Sequence, residues 1–241
     1  MSSSPLHYFP VTLPFLLVLI VLFFGIVALT TARILRFASV RMGVGPSTML
    51  TVLLLSLLFS YVNIPIAYLP ERQVSTAAVV NYFGIDYVIP VVQGWPATVV
   101  AINVGGAVIP ILLSLYLMVK NRLFGLSIAG IAIVAAVMHS IAQPVPGLGI
   151  AMPVFVPPLV TAVVALALSR PYAGPLAYIS GSLGTLIGAD LLNFNVIQGL
   201  GAPVASIGGA GTFDGIFVTG LMAVILAGLM TRRDARLQRS V

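Results

Sequence analysis

The stretch VTLPFLLVLIVLFFGIVALTTA at residues 11–32 decides the class of fold, because its 22 residues include no charged side chain. A helix that rises about 1.5 Å per residue needs roughly 20 apolar residues to cross about 30 Å of hydrocarbon. A strand of a membrane barrel would need only about 10 residues with alternating polarity, and this stretch does not alternate. The stretch therefore predicts a membrane-spanning helix.

The composition of the whole chain agrees with a membrane protein. Of its 241 residues, 60% are hydrophobic and 7% are charged, whereas soluble domains have about 25% charged residues. So few charges can neither cover a water-facing surface nor keep a chain disordered, which excludes both of those classes. Cysteine is absent, so disulfides, thiol nucleophiles and Cys-ligated metals are excluded as well.

Six further apolar runs follow the first, so we predict an all-α polytopic membrane protein with about seven transmembrane helices in one domain, residues 1–241. The runs lie near residues 11–32, 48–69, 97–119, 123–142, 150–169, 174–194 and 213–231. Gly and Pro interrupt the helices at NVGGAVIP (103–110), PVFVPP (153–158) and SIGGAGTFDG (206–215). The backbone can break there, and backbone groups freed at membrane depth need protein or a wet cavity beside them.

The basic residues predict the orientation of these helices. Ten of the eleven Lys and Arg residues follow spans one, three, five and seven, and only Arg72 falls on the other side. The ten are Arg33, Arg36, Arg41, Lys120, Arg122, Arg170, Arg232, Arg233, Arg236 and Arg239. Cytoplasmic loops carry the excess of Lys and Arg, so we expect a multi-pass plasma-membrane protein with its N-terminus outside and its C-terminus in the cytoplasm. The net charge of +6 is then a topology signal, which argues against nucleic acid as a partner.

Polar residues in five of the predicted helices fall at one depth. They are Asn63, Asn103, His139, Asp190 and Asp214, and Asn193 extends the layer outward. Each of the five lies roughly 25–33 Å from the basic residue at the cytoplasmic end of its helix. Asp190 and Asp214 are the only acids within the spans, and a carboxylate in the membrane marks a functional site by default. Asp214 has an alternative role, because a carboxylate in the first turn of a helix also caps it.

This layer fits more than one function. The leading hypothesis is ion- or proton-linked transport, or binding of a small solute, at an outward-facing site formed by the carboxylates, His139, Asn103, Asn63 and Asn193. The alternative is an intramembrane aspartyl protease acting on membrane-embedded peptides, in which Asp190 and Asp214 share a proton and activate water. The further alternative is a structural or assembly protein, in which the glycines only pack helices closely.

The sequence leaves several points open. No spacing typical of a metal site, a P-loop or a dinucleotide fingerprint supports a cofactor, so none is predicted. Whether the protein is an enzyme, which ion or solute it takes, its oligomeric state, and whether residues 74–95 re-enter the membrane are not decided by the sequence. The lipid bilayer is the one partner that the composition predicts directly.

Four motifs resemble a family of prokaryotic membrane proteins, the domain-of-unknown-function family 1614. They are NVGGAVIP, HSIAQPVPGLGI (139–150), GSLGTLIGADLLN (181–193) and SIGGAGTFDGIF (206–217). This resemblance covers most of the chain after residue 60 and implies no particular activity. GAGTFDGIF is also similar to the Gly-x-Gly-Asp motif of the presenilin and signal-peptide-peptidase proteases, which implies Asp190 and Asp214 as a catalytic pair. The chain departs from that pattern by two inserted residues before Asp214 and by Ala189 in place of the usual tyrosine.

Overall fold

The computed structural model describes residues 13–82, 85–95, 97–145, 149–153, 155–197, 203–209 and 215–237. These residues form seven helices of twelve or more residues, one single-turn helix and seven strands. The helices are α1 (Leu13–Met42), α2 (Pro46–Phe59), α3 (Ile109–Lys120), α4 (Phe124–Ile141), α5 (Val156–Leu168), α6 (Ala173–Thr185), the short α7 (Phe194–Ile197) and α8 (Gly215–Leu237). The predicted helical membrane class is therefore confirmed in its general form.

Two π-helical turns extend the helices toward one end of the bundle. Val104–Val108 leads directly into α3, and Leu186–Leu191 continues directly from α6. Proline occupies the first turn of α2 and α5, where its missing N–H leaves no hydrogen bond unmade and its fixed φ suits the helix. Pro110 of α3 instead lies where the π-helical turn changes to an α-helix. Proline therefore marks the start of α2 and α5.

The strands form three small sheets between the helices. The strands are β1 (Asn63–Leu69), β2 (Arg72–Tyr82), β3 (Ile85–Trp95), β4 (Thr98–Asn103), β5 (Gln143–Val145), β6 (Gly149–Ala151) and β7 (Val204–Ile207). The largest sheet has the order β1-β4-β7, with β1 antiparallel and β7 parallel to β4. The pairs β2-β3 and β5-β6 are separate antiparallel hairpins. The sequence left open whether residues 74–95 re-enter the membrane; of these, 74–82 lie in β2 and 85–95 lie in β3.

Helix α6 occupies the centre of the bundle. All of its residues except Leu183 are buried, and it packs against α3, α4, α5 and α8. Glycines permit this close packing: a β-carbon on Gly184 would meet Val134 of α4, and one on Gly220 of α8 would lie 2.5 Å from Ser182 Oγ. Small residues at helix contacts are the usual means by which membrane helices approach closely.

Helix α1 extends away from the bundle over most of its length. Every side chain from Leu16 to Ile34 is exposed, and the buried ones begin at Leu35. An apolar surface of this extent is unfavourable in water and is expected to face lipid hydrocarbon.

Within the part of the chain that the structure describes, three helices are long and apolar enough to cross a membrane: Leu16–Met42, Phe124–Ile141 and Ala173–Val196. The other predicted spans correspond to shorter apolar helices, and several of their ends are extended. The predicted span 48–69 is helical only to Phe59 and continues as β1, the span 97–119 begins as β4, and the span 150–169 begins in β6. The prediction of an all-α chain is wrong at these places. Hydropathy alone does not separate an apolar strand from an apolar helix.

Candidate functional site

Asn103 lies at the point where β4 ends and the π-helical turn before α3 begins. Its side chain is 1% exposed, and its Oδ1 accepts a hydrogen bond of 2.7 Å from the backbone N–H of Gly106. An asparagine in this position satisfies a backbone donor that the first turn of a helix would leave unpaired. The same side chain is therefore available to bond neighbouring elements through its amide nitrogen.

The amide nitrogen of Asn103 links β4 to β1 and to the residue that follows α2. It donates to the carbonyl of Ser60 at 2.5 Å and to Asn63 Oδ1 at 3.0 Å. Asn63 is the partner of Asn103 in the β1-β4 ladder, and its Oδ1 also accepts a bond of 2.6 Å from Ser206 Oγ of β7. Side chains from all three strands thus meet, with Asn103 buried and Asn63 exposed.

Asp190 reaches the same place from the central helix. It lies in the π-helical turn that follows α6, is partly buried, and its Oδ2 accepts a hydrogen bond of 2.7 Å from the N–H of Gly208. Gly208 has a φ of +85° and follows β7 directly. Single π-helical turns occur frequently at functional sites. We call Asn63, Asn103, Asp190, Ser206 and Gly208 the polar cluster.

Gly208 and Gly209 bring the two halves of the polar cluster together. A β-carbon on Gly208 would lie 2.5 Å from the β-carbon of Ala107, in the turn that Asn103 caps. A β-carbon on Gly209 would lie 2.9 Å from Cγ of Asn103. Only glycine permits this approach, so the segment that binds Asp190 also packs on Asn103.

The structure places the other predicted site residues elsewhere or leaves them out. His139 is exposed near the end of α4. Asn193 donates to the carbonyls of Gly188 and Ala189 at 3.0 and 2.9 Å, so its amide caps the end of its own helix. Asp214 lies outside the described residues. The distance between the carboxyl groups of Asp190 and Asp214 therefore stays a prediction.

Two members of the polar cluster were not predicted as site residues. Ser206 and Gly208 belong to the run SIGG, which the sequence marks only as a glycine-rich interruption. Their roles arise from the parallel pairing of β7 with β4, and no local pattern predicts that pairing between distant segments. Among the described residues, no group of three His, Asp or Glu side chains gathers at a distance that would hold a metal ion.

Basic residues mark the opposite end of the bundle. Lys120 Nζ, at the end of α3, donates to the carbonyl of Gly43 at 2.6 Å. Gly174, in the first turn of α6, packs against the carbonyl of Arg41 at the end of α1. The helical segment from Val104 to Lys120 separates this end from Asn103 by about 25 Å. The polar cluster and the basic residues therefore lie at opposite ends of the same helices.

An apolar helical bundle with a partly buried polar cluster at one end and basic residues at the other defines the class as a helical membrane protein. A family model described as "Protein of unknown function (DUF1614)" matches residues 57–226. The chain belongs to this family, as the sequence motifs predicted. No curated protein and no solved structure shows a significant match.

Proposed function

We propose that the protein carries out ion- or proton-linked transport, or binds a small solute, at the polar cluster. In this proposal the chain crosses the plasma membrane about seven times, with the polar cluster facing outward. The N-terminus lies outside and the C-terminus lies in the cytoplasm.

The bonding of Asp190 is the observation that carries the proposal. A carboxylate on a membrane-spanning helix is costly unless it is paired, hydrated or used for function. The partner that the structure gives to Asp190, within the described residues, is the backbone N–H of Gly208. An amide N–H carries no full positive charge, so no described cation neutralises this carboxylate when it is ionised. Ser206, two residues before Gly208 on the same segment, bonds Asn63 Oδ1, so the segment that binds Asp190 also carries polar side chains.

The exposure of the cluster supports access from one side of the membrane. Burial decreases from Asn103 through Ser206 to the exposed Asn63, so the bonded side chains lead from the interior to the surface. The basic residues at the other end support a cytoplasmic location for that end, because Lys and Arg accumulate in cytoplasmic loops. Together these features favour a site that opens outward.

Flux measurements on reconstituted protein test the proposal. The Asp190→Asn variant keeps an oxygen that accepts from Gly208 but removes the negative charge. We expect it to lower proton or cation flux into proteoliposomes by about tenfold or more, the factor that corresponds to roughly 1.4 kcal/mol in a barrier. Glu71→Gln is the matched control, because Glu71 is exposed and lies between β1 and β2. Equal flux in the wild type and Asp190→Asn would contradict the proposal.

The close helix packing favours a structural role as the second candidate. Gly181, Gly184 and Gly220 each lie where a β-carbon would press on a neighbouring helix, as expected of a scaffold. If the wild-type protein carries no ion, proton or solute, this role is preferred. The aspartyl protease alternative depends on Asp214, and no described contact favours it.

A further inference from the structure

Several hydroxyl groups in the bundle core are buried without a hydrogen-bond partner among the described residues. They belong to Ser114, Ser127, Thr161, Ser180, Ser182 and Thr185. Elsewhere in the chain, serine hydroxyls bond the carbonyl three residues earlier, as Ser39, Ser60 and Ser140 do. That local bond is the usual arrangement of Ser and Thr in helices. The unpartnered hydroxyls are therefore a specific feature of the core.

Two of these hydroxyls lie on the same face of the central helix as Asp190. Residues three apart in an α-helix are neighbours on its surface, which places Ser182 next to Thr185. The turn after Thr185 is π-helical, with bonds between residues five apart, so Asp190 follows Thr185 by about one turn. The fully buried Tyr178 lies one turn before Ser182 and continues the same face.

This face of α6 packs against α8. Ser182 Oγ is the atom nearest to where Gly220 of α8 would carry a β-carbon, and the ring of Tyr178 is the next. Ser180 faces another way, because its Oγ presses on Gly130 of α4. Ser182 Oγ thus faces α8, while Ser180 Oγ faces α4. Thr185, three residues after Ser182, lies on the same side of α6 as Ser182.

We propose that the polar cluster exchanges protons, and that they move between Asp190 and the interior along Thr185 and Ser182 by way of buried water. This inference rests on the proposed function and specifies both the transported species and its route. The route is called the hydroxyl line and consists of Asp190, Thr185, Ser182 and Tyr178.

The spacing of the hydroxyl line favours water as the connecting group. Side chains one turn apart have β-carbons about 5–6 Å apart. Because the hydroxyls of Ser182 and Thr185 make no direct bond among the described residues, one bridging water suits this spacing. A buried hydroxyl without a partner is unfavourable, and a buried water removes that cost by bonding both neighbours. Each transfer passes a proton from one oxygen to the next, so the line gains and loses one proton and is not otherwise changed.

The donor groups argue for protons over metal ions. A β-carbon on Gly181 would lie only 3.3 Å from Cα of Gly220, so α6 and α8 touch at that level, and in this proposal single waters lie only beside Ser182 and Thr185. A dehydrated metal ion needs several oxygen ligands at once, whereas this face offers one hydroxyl per turn. A proton needs only one acceptor at each step.

The test uses the full-length protein in liposomes that contain a pH-sensitive dye, with a potassium diffusion potential as the driving force. Ser182→Ala and Thr185→Val are expected to slow acidification by about tenfold, as the loss of one hydrogen-bonding group from a barrier predicts. Ser180→Ala is the matched control, because it removes an equally buried and unpartnered hydroxyl from another face of α6. Thr185→Ser keeps the hydroxyl and should retain wild-type flux, which separates proton transfer from packing.

The outcomes distinguish this inference from the proposed function. If Ser182→Ala and Thr185→Val match Ser180→Ala while Asp190→Asn abolishes flux, the route is wrong and the site remains. If the wild type carries sodium, potassium or a solute in an Asp190-dependent way but no protons, the transported species is wrong. If flux is independent of Asp190, or absent, both proposals are overturned.

Discussion

Asn103→Ala is expected to be among the most destabilising substitutions that remove a single side chain from this fold. The variant loses the cap on Gly106 and the two bonds to Ser60 and Asn63. Loss of an asparagine cap costs about 0.5–2 kcal/mol. A buried backbone group left unpaired costs about 1–3 kcal/mol. Because these two terms partly describe the same bond, we expect a decrease of about 3 kcal/mol in the free energy of unfolding.

Denaturant titration of the purified protein in detergent measures this decrease, with hydrogen exchange at the Gly106 amide as a local readout. Asn103→Ser should be intermediate, because its hydroxyl can still cap the turn but cannot reach both other acceptors. Asn121→Ala is the matched control. The side chain of Asn121 donates one described hydrogen bond, to the carbonyl of Leu117 at the other end of α3, and its removal should lower the free energy of unfolding by about 1 kcal/mol or less. An Asn103→Ala variant as stable as Asn121→Ala would refute the assigned role of Asn103.

Two further predictions concern the polar cluster and its surroundings. Gly208→Ala should destabilise the protein by about 2 kcal/mol or more, because it adds backbone strain at positive φ and a clash with Ala107. Gly43→Ala, at a φ of +69° with open space around it, should cost only about 1 kcal/mol by the same unfolding assay, and equal losses would contradict the clash. His139→Ala should leave proton or cation flux within about twofold of wild type, because the side chain is exposed. A tenfold loss of flux would show that His139 takes part in transport.

The helical framework follows from the sequence because long apolar runs have few alternatives in a membrane. The run that contains α4, residues 123–142, matches Phe124–Ile141 almost to the residue. The extended segments were not predictable in the same way. Residues 63–69 and 98–103 are as apolar as the helices beside them, and their strand conformation depends on pairing with each other and with β7. Such pairing is tertiary and leaves little local signal.

The common membrane depth of the candidate site residues stays a prediction, and their bonding could not be read from the sequence. Counting residues from the basic ends predicts one level for Asn63, Asn103 and Asp190; in the structure Asn103 bonds Asn63, and Asp190 bonds Gly208, which packs on the turn that Asn103 caps. The same count included His139, because depth alone does not indicate which face of a helix a residue occupies. The residues of the hydroxyl line could not be predicted for a different reason. Ser and Thr in helices usually bond their own backbone, and nothing in the sequence marks Ser182 and Thr185 as residues that do not. What the cluster transports or binds stays a prediction.

The π-helical turn at Leu186–Leu191 makes the position of Asp190 sensitive to a change of chain length. Such a turn accommodates a residue more than an α-helix of equal length. Deleting one residue there would restore α-helical winding over the same length, so the helix on either side would keep its register while the side chains within the turn, including Asp190, would be displaced. The carboxylate would turn away from Gly208, yet the contacts of α6 with its neighbours would remain. Natural insertions and deletions at this point would therefore add or remove the contact between Asp190 and Gly208 while the helix packing is preserved.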